Sequence, residues 1–152
     1  MLWKPTYETR ILRSVALPRL VGRTLDGQDG AAPVEGIMLG AFGPFASNEL
    51  GIWRRLIAEA FPERKVPTVL VRASWTERER RTIATATAPA LQPWTLLAND
   101  PHGSWSAAIG PDRAERAFGA VVHNAMAELL MVGLPTEEAW DTFQDQATGP
   151  RD

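Results

Sequence analysis

Three residues in one short turn, Asp100, His102 and Ser104, are of the types that a nucleophilic triad uses. In a triad the histidine takes a proton from the hydroxyl while a buried carboxylate orients the imidazole. Because all three residues share one turn, a buried orienting group is not expected there. The sequence therefore predicts no catalytic residues.

Metal and thiol chemistry are restricted by composition. The chain of 152 residues has two histidines, His102 and His123, and no cysteine. Neither histidine has a second ligand at metal-binding spacing, so neither a metal site nor a cofactor is expected. Disulfides and thiolate nucleophiles are excluded. With 16 basic and 18 acidic residues, a formal charge of -2 provides no overall field for nucleic acid or an anionic membrane, and neither partner is expected.

The tetrapeptide Phe42-Gly43-Pro44-Phe45 stands where a predicted strand, Val34 to Leu39, meets a predicted amphipathic helix. Glycine permits a tight turn and proline presets the start of a helix. Two aromatic residues at such a junction either fill the core or form an exposed patch that binds a partner. Both interpretations stay open at this point.

The segment from Gly40 to Leu50 resembles the Cys-Gly-Pro-Cys loop of the thioredoxin superfamily, with phenylalanine in place of both cysteines. Thiol–disulfide exchange needs a thiolate, so the resemblance implies a thioredoxin-like α/β fold without redox activity. In the family a cis proline precedes a later strand and faces this loop, and the resemblance assigns that position to Pro93. The implied partner-binding residues are Phe42, Gly43, Pro44, Phe45, Gln92 and Pro93.

The elements after the loop are predicted from local patterns. Thr68 to Val71 is β-branched and continuously apolar, which is typical of a central strand covered on both faces. Thr76 and Glu79 have the spacing of a capping box, so a helix is predicted from Glu77 to Thr87.

The C-terminal half gives three further predictions. Trp94 to Ala98 and Ser104 to Ile109 are predicted to pair as a hairpin. Apolar residues at helical spacing between 114 and 130 predict a long amphipathic helix. Thr136 is predicted to cap a short final helix, followed by a frayed polar tail over 144–152.

From residue 34 onward the predicted order is strand, helix, strand, helix, strand, strand, helix, which is the order in the thioredoxin fold. The length suits one domain. We therefore expect an N-terminal arm or hairpin over 1–32, a thioredoxin-like core over 33–133, and a short helix with its tail over 134–152. The expected sheet is mixed, has four to five strands and is flanked by helices.

Tryptophan and arginine residues give further expectations. Trp53 and Trp94 are predicted to lie in the core, whereas Trp3 and Trp140 are predicted at contacts between chains. The Arg54-Arg55 pair is predicted to lie on a solvated helix face, with an acidic partner as the alternative.

The function that follows is a non-catalytic, protein-binding module that acts in assembly, chaperoning or regulation of a partner. A cytoplasmic location is expected, because the N-terminus lacks a basic stretch followed by an apolar run and no window is long enough to cross a bilayer. One alternative is a small hydrolase or transferase with a ligand site at the strand-loop-helix 39–50. Another is a homo-oligomeric structural protein.

Overall fold

The computed structural model describes residues 9–43, 47–110 and 116–149. Pro44 and Phe45 of the predicted binding loop lie outside the described residues, as does Trp3.

Within these residues eight strands form one mixed sheet, in the order β1-β8-β7-β4-β5-β6-β2-β3. Strands β4, β5 and β6 are mutually parallel, and every other neighbouring pair is antiparallel. The prediction of four to five strands is wrong, because the N-terminal arm contributes three strands and a predicted helix is a hairpin. The strands are β1 (Arg10–Ala16), β2 (Val21–Thr24), β3 (Asp29–Ala31), β4 (Gly36–Phe42), β5 (Thr68–Arg72), β6 (Thr95–Asn99), β7 (Ala117–His123) and β8 (Met126–Val132).

Helices cover both faces of the sheet. Residues of α1 and α4 pack on one face, which we call the α1 face, and residues of α3 pack on the other, which we call the α3 face. No helix in the described ranges combines the length and the apolar content that a bilayer span requires. The helices are α1 (Ser47–Ala60), α2 (Glu77–Thr85), α3 (Ser104–Ile109), α4 (Glu137–Thr148) and a 3₁₀ helix (Pro89–Trp94).

Two predictions from local patterns are confirmed. The Thr76 hydroxyl accepts a hydrogen bond from the Glu79 amide at 3.1 Å, and the Glu79 carboxylate accepts one from the Thr76 amide at 2.8 Å, which is the predicted capping box. The helix ends at Thr85, two residues before the predicted end. The apolar run at Thr68 to Val71 is fully buried in β5, between two parallel neighbours.

The predicted second hairpin strand, Ser104 to Ile109, is instead helix α3. Gly103 and Gly110 on either side of it have φ of 65° and 59°, and these left-handed positions turn the chain into and out of the helix. Trp105 and Ile109 are four residues apart and both are buried on the sheet. That spacing is helical, and the strand prediction overlooked it.

The predicted long helix over 114–130 is wrong, because most of that segment forms the hairpin β7–β8. Its turn is at Asn124 and Ala125, which have φ of 51° and 61°, as a two-residue hairpin turn requires. Both faces of these strands are covered, so their sequence is apolar almost throughout. A continuous apolar run also contains residues at helical spacing, which is why its periodicity was misleading.

The C-terminal helix is longer than predicted. The Thr136 hydroxyl accepts a hydrogen bond from the Ala139 amide at 3.1 Å, which confirms the predicted cap. The helix continues to Thr148, and Ala147 is buried in the core. The prediction that the chain is frayed from Gln144 onward is therefore wrong for the part of the tail that α4 contains.

The predicted position of Pro93 is also wrong. The Gln92–Pro93 bond is trans, and Pro93 belongs to the 3₁₀ helix that leads into the amino end of β6. Phe42 lies at the carboxyl end of β4, two strands away. The strand beside β4 that runs antiparallel to it is β7, which begins at Ala117. The residue before that strand is Arg116 and not Pro93.

Trp53 lies at the centre of the α1 face and is completely buried, as predicted. Its ring makes edge contacts with Trp140 at 6.1 Å and with Phe143 at 5.2 Å between centroids. On the sheet side it lies directly over Gly119, where a Cβ atom would come within 2.5 Å of Trp53 Cζ3. The indole therefore lies directly on the backbone of β7 and leaves no space for a side chain at position 119.

The substitution Gly119→Ala should lower the free energy of unfolding by about 1–3 kcal/mol, because the indole has no room to move away from the added methyl group. Gly51→Ala is the matched control. Gly51 lies in α1, and a methyl group there would point into open space, so this change should raise stability by about 0.5–1 kcal/mol. Urea unfolding of both variants measures the effect. Equal effects of the two substitutions would contradict the close packing of α1 on β7.

Candidate functional site

The carboxyl end of β4 meets the amino end of α1 at the predicted binding loop. Phe42 is half-buried, and its ring lies 5.7 Å from that of Phe118 on the α3 face. Gly43 has φ of +93°, and its amide donates to the Val71 carbonyl at 2.9 Å. Phe42 therefore packs partly on the core and keeps part of its surface exposed.

Of the six predicted binding residues, the four that the structure describes do not lie together. The Gln92 side-chain amide donates to the carbonyls of Ala84 at 3.0 Å and Thr87 at 3.2 Å, which ties the 3₁₀ helix to the end of α2. Pro93 is exposed beside it, at the end of the sheet opposite Phe42. A binding role for Phe42 and Gly43 stays a prediction.

An ion pair that sequence reasoning missed lies next to the loop. Glu49, in the first turn of α1, accepts hydrogen bonds from Arg116 Nε at 3.3 Å and 3.2 Å on its two oxygens. The Ala117 amide donates to the same carboxylate at 2.9 Å. The Glu49 side chain is 22% exposed and the Arg116 side chain is 8% exposed, so the pair is largely removed from water. Glu49 is also favourably placed near the positive end of the α1 dipole.

Gly133 makes room for this ion pair. A Cβ atom at Gly133, which has φ of +92°, would overlap the Arg116 guanidinium. The Gly133 amide donates to the Ala117 carbonyl at 2.7 Å, and its carbonyl accepts from Trp53 Nε1 at 2.9 Å. These bonds join α1, the start of β7 and the end of β8. No sequence motif marks them, because Arg116 and Glu49 are distant in the chain.

The turn that contains Asp100, His102 and Ser104 is held by hydrogen bonds to the Asp100 carboxylate. The buried Asp100 carboxylate accepts hydrogen bonds from the Ser104 hydroxyl at 2.8 Å and from the amides of Ser104 and Trp105, both at 2.9 Å. Burial raises the pKa of Asp100, but these hydrogen bonds outweigh it and leave the pKa below its usual value. Since the serine hydroxyl donates directly to Asp100 and His102 is exposed, the three residues do not form a triad.

The remaining histidine lies at the β7–β8 turn. His123 Nδ1 is 2.9 Å from Glu35 Oε2, and both side chains are exposed. Across residues 9–43, 47–110 and 116–149, no three His, Asp or Glu side chains are grouped so that they could hold a metal ion.

The sequence matches no protein-family model and no curated protein. Solved structures do resemble the chain. The thioredoxin domain of a thiol-disulfide oxidoreductase from Bacteroides vulgatus has a TM-score of 0.58 at 12% identity, covering 90% of this chain and 99% of that one. A thio-disulfide isomerase from Thermus thermophilus has a TM-score of 0.54 at 15% identity, covering 92% and 99%. BsSco, a member of the Sco family of cytochrome c oxidase assembly proteins, has a TM-score of 0.54 at 12% identity, covering 88% and 92%.

These similarities establish a thioredoxin-like α/β fold. The sequence identities are too low to transfer an activity, since one fold supports many functions.

The substitution Glu49→Ala should lower the free energy of unfolding by about 2–3 kcal/mol, because it removes the carboxylate that neutralises a largely buried guanidinium. Asp29→Ala is the control, since the Asp29–Arg23 pair is 3.7 Å apart and exposed, and such pairs contribute little. Thermal or urea unfolding compares the two. A loss for Glu49→Ala as small as that for the control would show that the pair does not stabilise this end of the fold.

The substitution Asp100→Asn should destabilise the protein at neutral pH by about 1–3 kcal/mol, because three donors lose a charged acceptor. The pKa of Asp100 is lowered in the folded state, so its contribution is complete above the ordinary carboxyl pKa and is lost as pH falls through the folded value. The difference between wild type and Asp100→Asn should therefore be smaller at about pH 3 than at pH 7. Urea unfolding at both pH values measures it, and a difference independent of pH would contradict the assignment.

Proposed function

We propose that this chain is a redox-inactive thioredoxin-fold module that binds a protein partner, with Phe42-Gly43-Pro44-Phe45 in place of Cys-Gly-Pro-Cys. The observation that carries this proposal is the Glu49–Arg116 ion pair beside that loop, in a chain without cysteine. Thiol exchange needs a thiolate, which a chain without cysteine cannot supply. Beside the loop, Glu49 and Arg116 neutralise each other. The proposed role is non-enzymatic and lies in assembly, chaperoning or regulation of the partner.

The position of Phe42 supports a binding role. Its ring is held against Phe118, and the next residue, Gly43, is fixed by a backbone hydrogen bond to β5. A partly exposed aromatic side chain held in this way loses little conformational entropy on binding, and aromatic residues are enriched among binding hot spots. BsSco is a member of a family of cytochrome c oxidase assembly proteins. An assembly role for this chain is proposed from that likeness by analogy alone.

The alternative of a hydrolase or transferase site at 39–50 stays a prediction. Glu49 is the acidic residue of that segment, and it is already engaged by Arg116 and by the Ala117 amide. A carboxylate held in this way is poorly placed to act as a general base, since it accepts from donors that a substrate would have to displace.

Site-specific photo-crosslinking tests the proposal. A benzoylphenylalanine at position 42 should give one discrete protein adduct in cells that express the chain, and an excess of unlabelled chain should suppress it. The control is the same photo-crosslinker at Ile11, which is exposed on edge strand β1 and separated from β4 by two strands. No adduct from position 42, or the same adducts from both positions, would overturn the proposed binding surface.

With the partner identified in this way, Phe42→Ala should weaken its binding by at least about tenfold, as loss of an aromatic hot spot does. Ile11→Ala should leave the affinity unchanged. Circular dichroism of Phe42→Ala separates lost binding from lost folding, since the ring also packs on Phe118.

An insulin-reduction assay tests the non-catalytic assignment. The chain should not raise the rate of insulin reduction above that with dithiothreitol alone, and any increase would contradict the assignment.

A further inference from the structure

A second candidate site is a pocket at the amino ends of β5 and β6, at the opposite end of the parallel strands from Phe42. Its volume is about 390 Å³, and it lies between α1, the segment 64–66 and the 3₁₀ helix. Small-molecule sites typically measure about 300–1,000 Å³. The lining residues that matter here are Arg54, Ile57, Arg64, Lys65, Leu91 and Trp94.

The charge of this pocket is of one sign. Arg54, Arg64 and Lys65 all line it, whereas no aspartate or glutamate among the described residues does. Over the described ranges none of the three takes part in a salt bridge. Three cations around one concave surface produce a local positive potential, although the formal net charge of the chain is -2.

Arg54 is the most informative of the three cations. It is half-buried, and burial lowers the pKa of its guanidinium. Its side chain makes one hydrogen bond within the described part of the chain, from Nη2 to the Thr68 hydroxyl at 3.5 Å. A guanidinium has five N–H donors, and removing its charge from water without an anion is costly. Such a group is well suited to an anion that enters from outside.

The opposite wall is apolar and exposed. Leu91 and Trp94 of the 3₁₀ helix are 41% and 39% exposed, so the prediction that Trp94 lies in the core is wrong. Lys65 Nζ lies 5.5 Å from the Trp94 ring centroid, and this cation–π contact connects the two walls. Ile57 is buried and forms the apolar side that α1 contributes.

Arg64 is held at the rim of the pocket. Its guanidinium carbon lies 4.9 Å from the Phe61 ring centroid, and Nη1 donates to the Ala147 carbonyl at 3.4 Å. These contacts fix a positive charge beside the opening without neutralising it.

We propose that this pocket binds a small amphipathic carboxylate, with its head on Arg54 and Lys65 and its apolar body against Ile57, Leu91 and Trp94. A carboxylate matches the planar, two-pronged geometry of a guanidinium, and the exposed apolar wall takes the body out of water. This site is separate from the Phe42 surface, so Phe42→Ala should leave carboxylate binding unchanged, and the two proposals can fail independently.

The test titrates the full chain with octanoate by calorimetry, with octanol and octylammonium as probes of the same length. Octanoate should bind in a saturable way, and both other probes at least about tenfold more weakly, because they lack the charge that the guanidinium recognises. Arg54→Met should weaken octanoate binding at least about tenfold. Arg55→Met is the matched control, because Arg55 is the exposed neighbour of Arg54 on α1 and does not line the pocket.

No saturable octanoate binding, octanol binding as tight as octanoate, or an equal loss in Arg55→Met would overturn the proposal. Octyl phosphate binding more tightly than octanoate would overturn the assignment to carboxylates.

A thermal unfolding measurement separates lost binding from lost folding. Arg54→Met should unfold at the same temperature as wild type or higher, since it removes a half-buried charge. Lys65→Met, at an exposed position, should also weaken octanoate, and unchanged affinity there would count against the proposed head position.

Discussion

The contact of Trp53 with Gly119 determines where helix α1 lies, and both candidate sites depend on that helix. The indole lies so close to β7 that no side chain fits beneath it, and its N–H is bonded to the Gly133 carbonyl. With its middle fixed in this way, α1 presents Glu49 at the carboxyl end of β4 and Arg54 at the pocket near the amino end of β5. One buried ring therefore sets the position of charges at both ends of the parallel strands.

The two ends differ in how their charges are balanced. At the loop end, Glu49 neutralises Arg116, and the Ala117 amide donates a further hydrogen bond to the Glu49 carboxylate. At the pocket end, Arg54 has a hydroxyl for a partner and other cations for neighbours. Because a buried charge is stable only when an opposite charge or several donors surround it, the first end is complete by itself. The second end gains stability from an added anion.

Sequence reasoning succeeded where a structure is determined by neighbours in the chain. The Thr76–Glu79 capping box, the Thr136 cap and the apolar run of β5 are all local, and all three are confirmed. It failed at the hairpin β7–β8, because strands buried on both faces lose the alternation that distinguishes them from a helix. The site predictions failed for a different reason. The antiparallel pairing of β4 with β7 brings Arg116 to Glu49 at the start of α1. The parallel pairing of β4 with β5 and of β5 with β6 places Pro93 far from Phe42, and no local pattern in the sequence predicts either arrangement.

The pairing of β1 with β8 has a consequence for synthesis on the ribosome. Arg10 pairs with Val132, so among the described strands the edge strand β1 has one neighbour in the sheet, and that neighbour follows more than a hundred residues later in the chain. At ordinary translation rates the interval between the two is on the order of ten seconds. During that time β1 exposes unpaired backbone donors and acceptors, which is the condition that favours strand exchange between nascent chains. Completion of the sheet is therefore a late event, and it has to follow the emergence of β8.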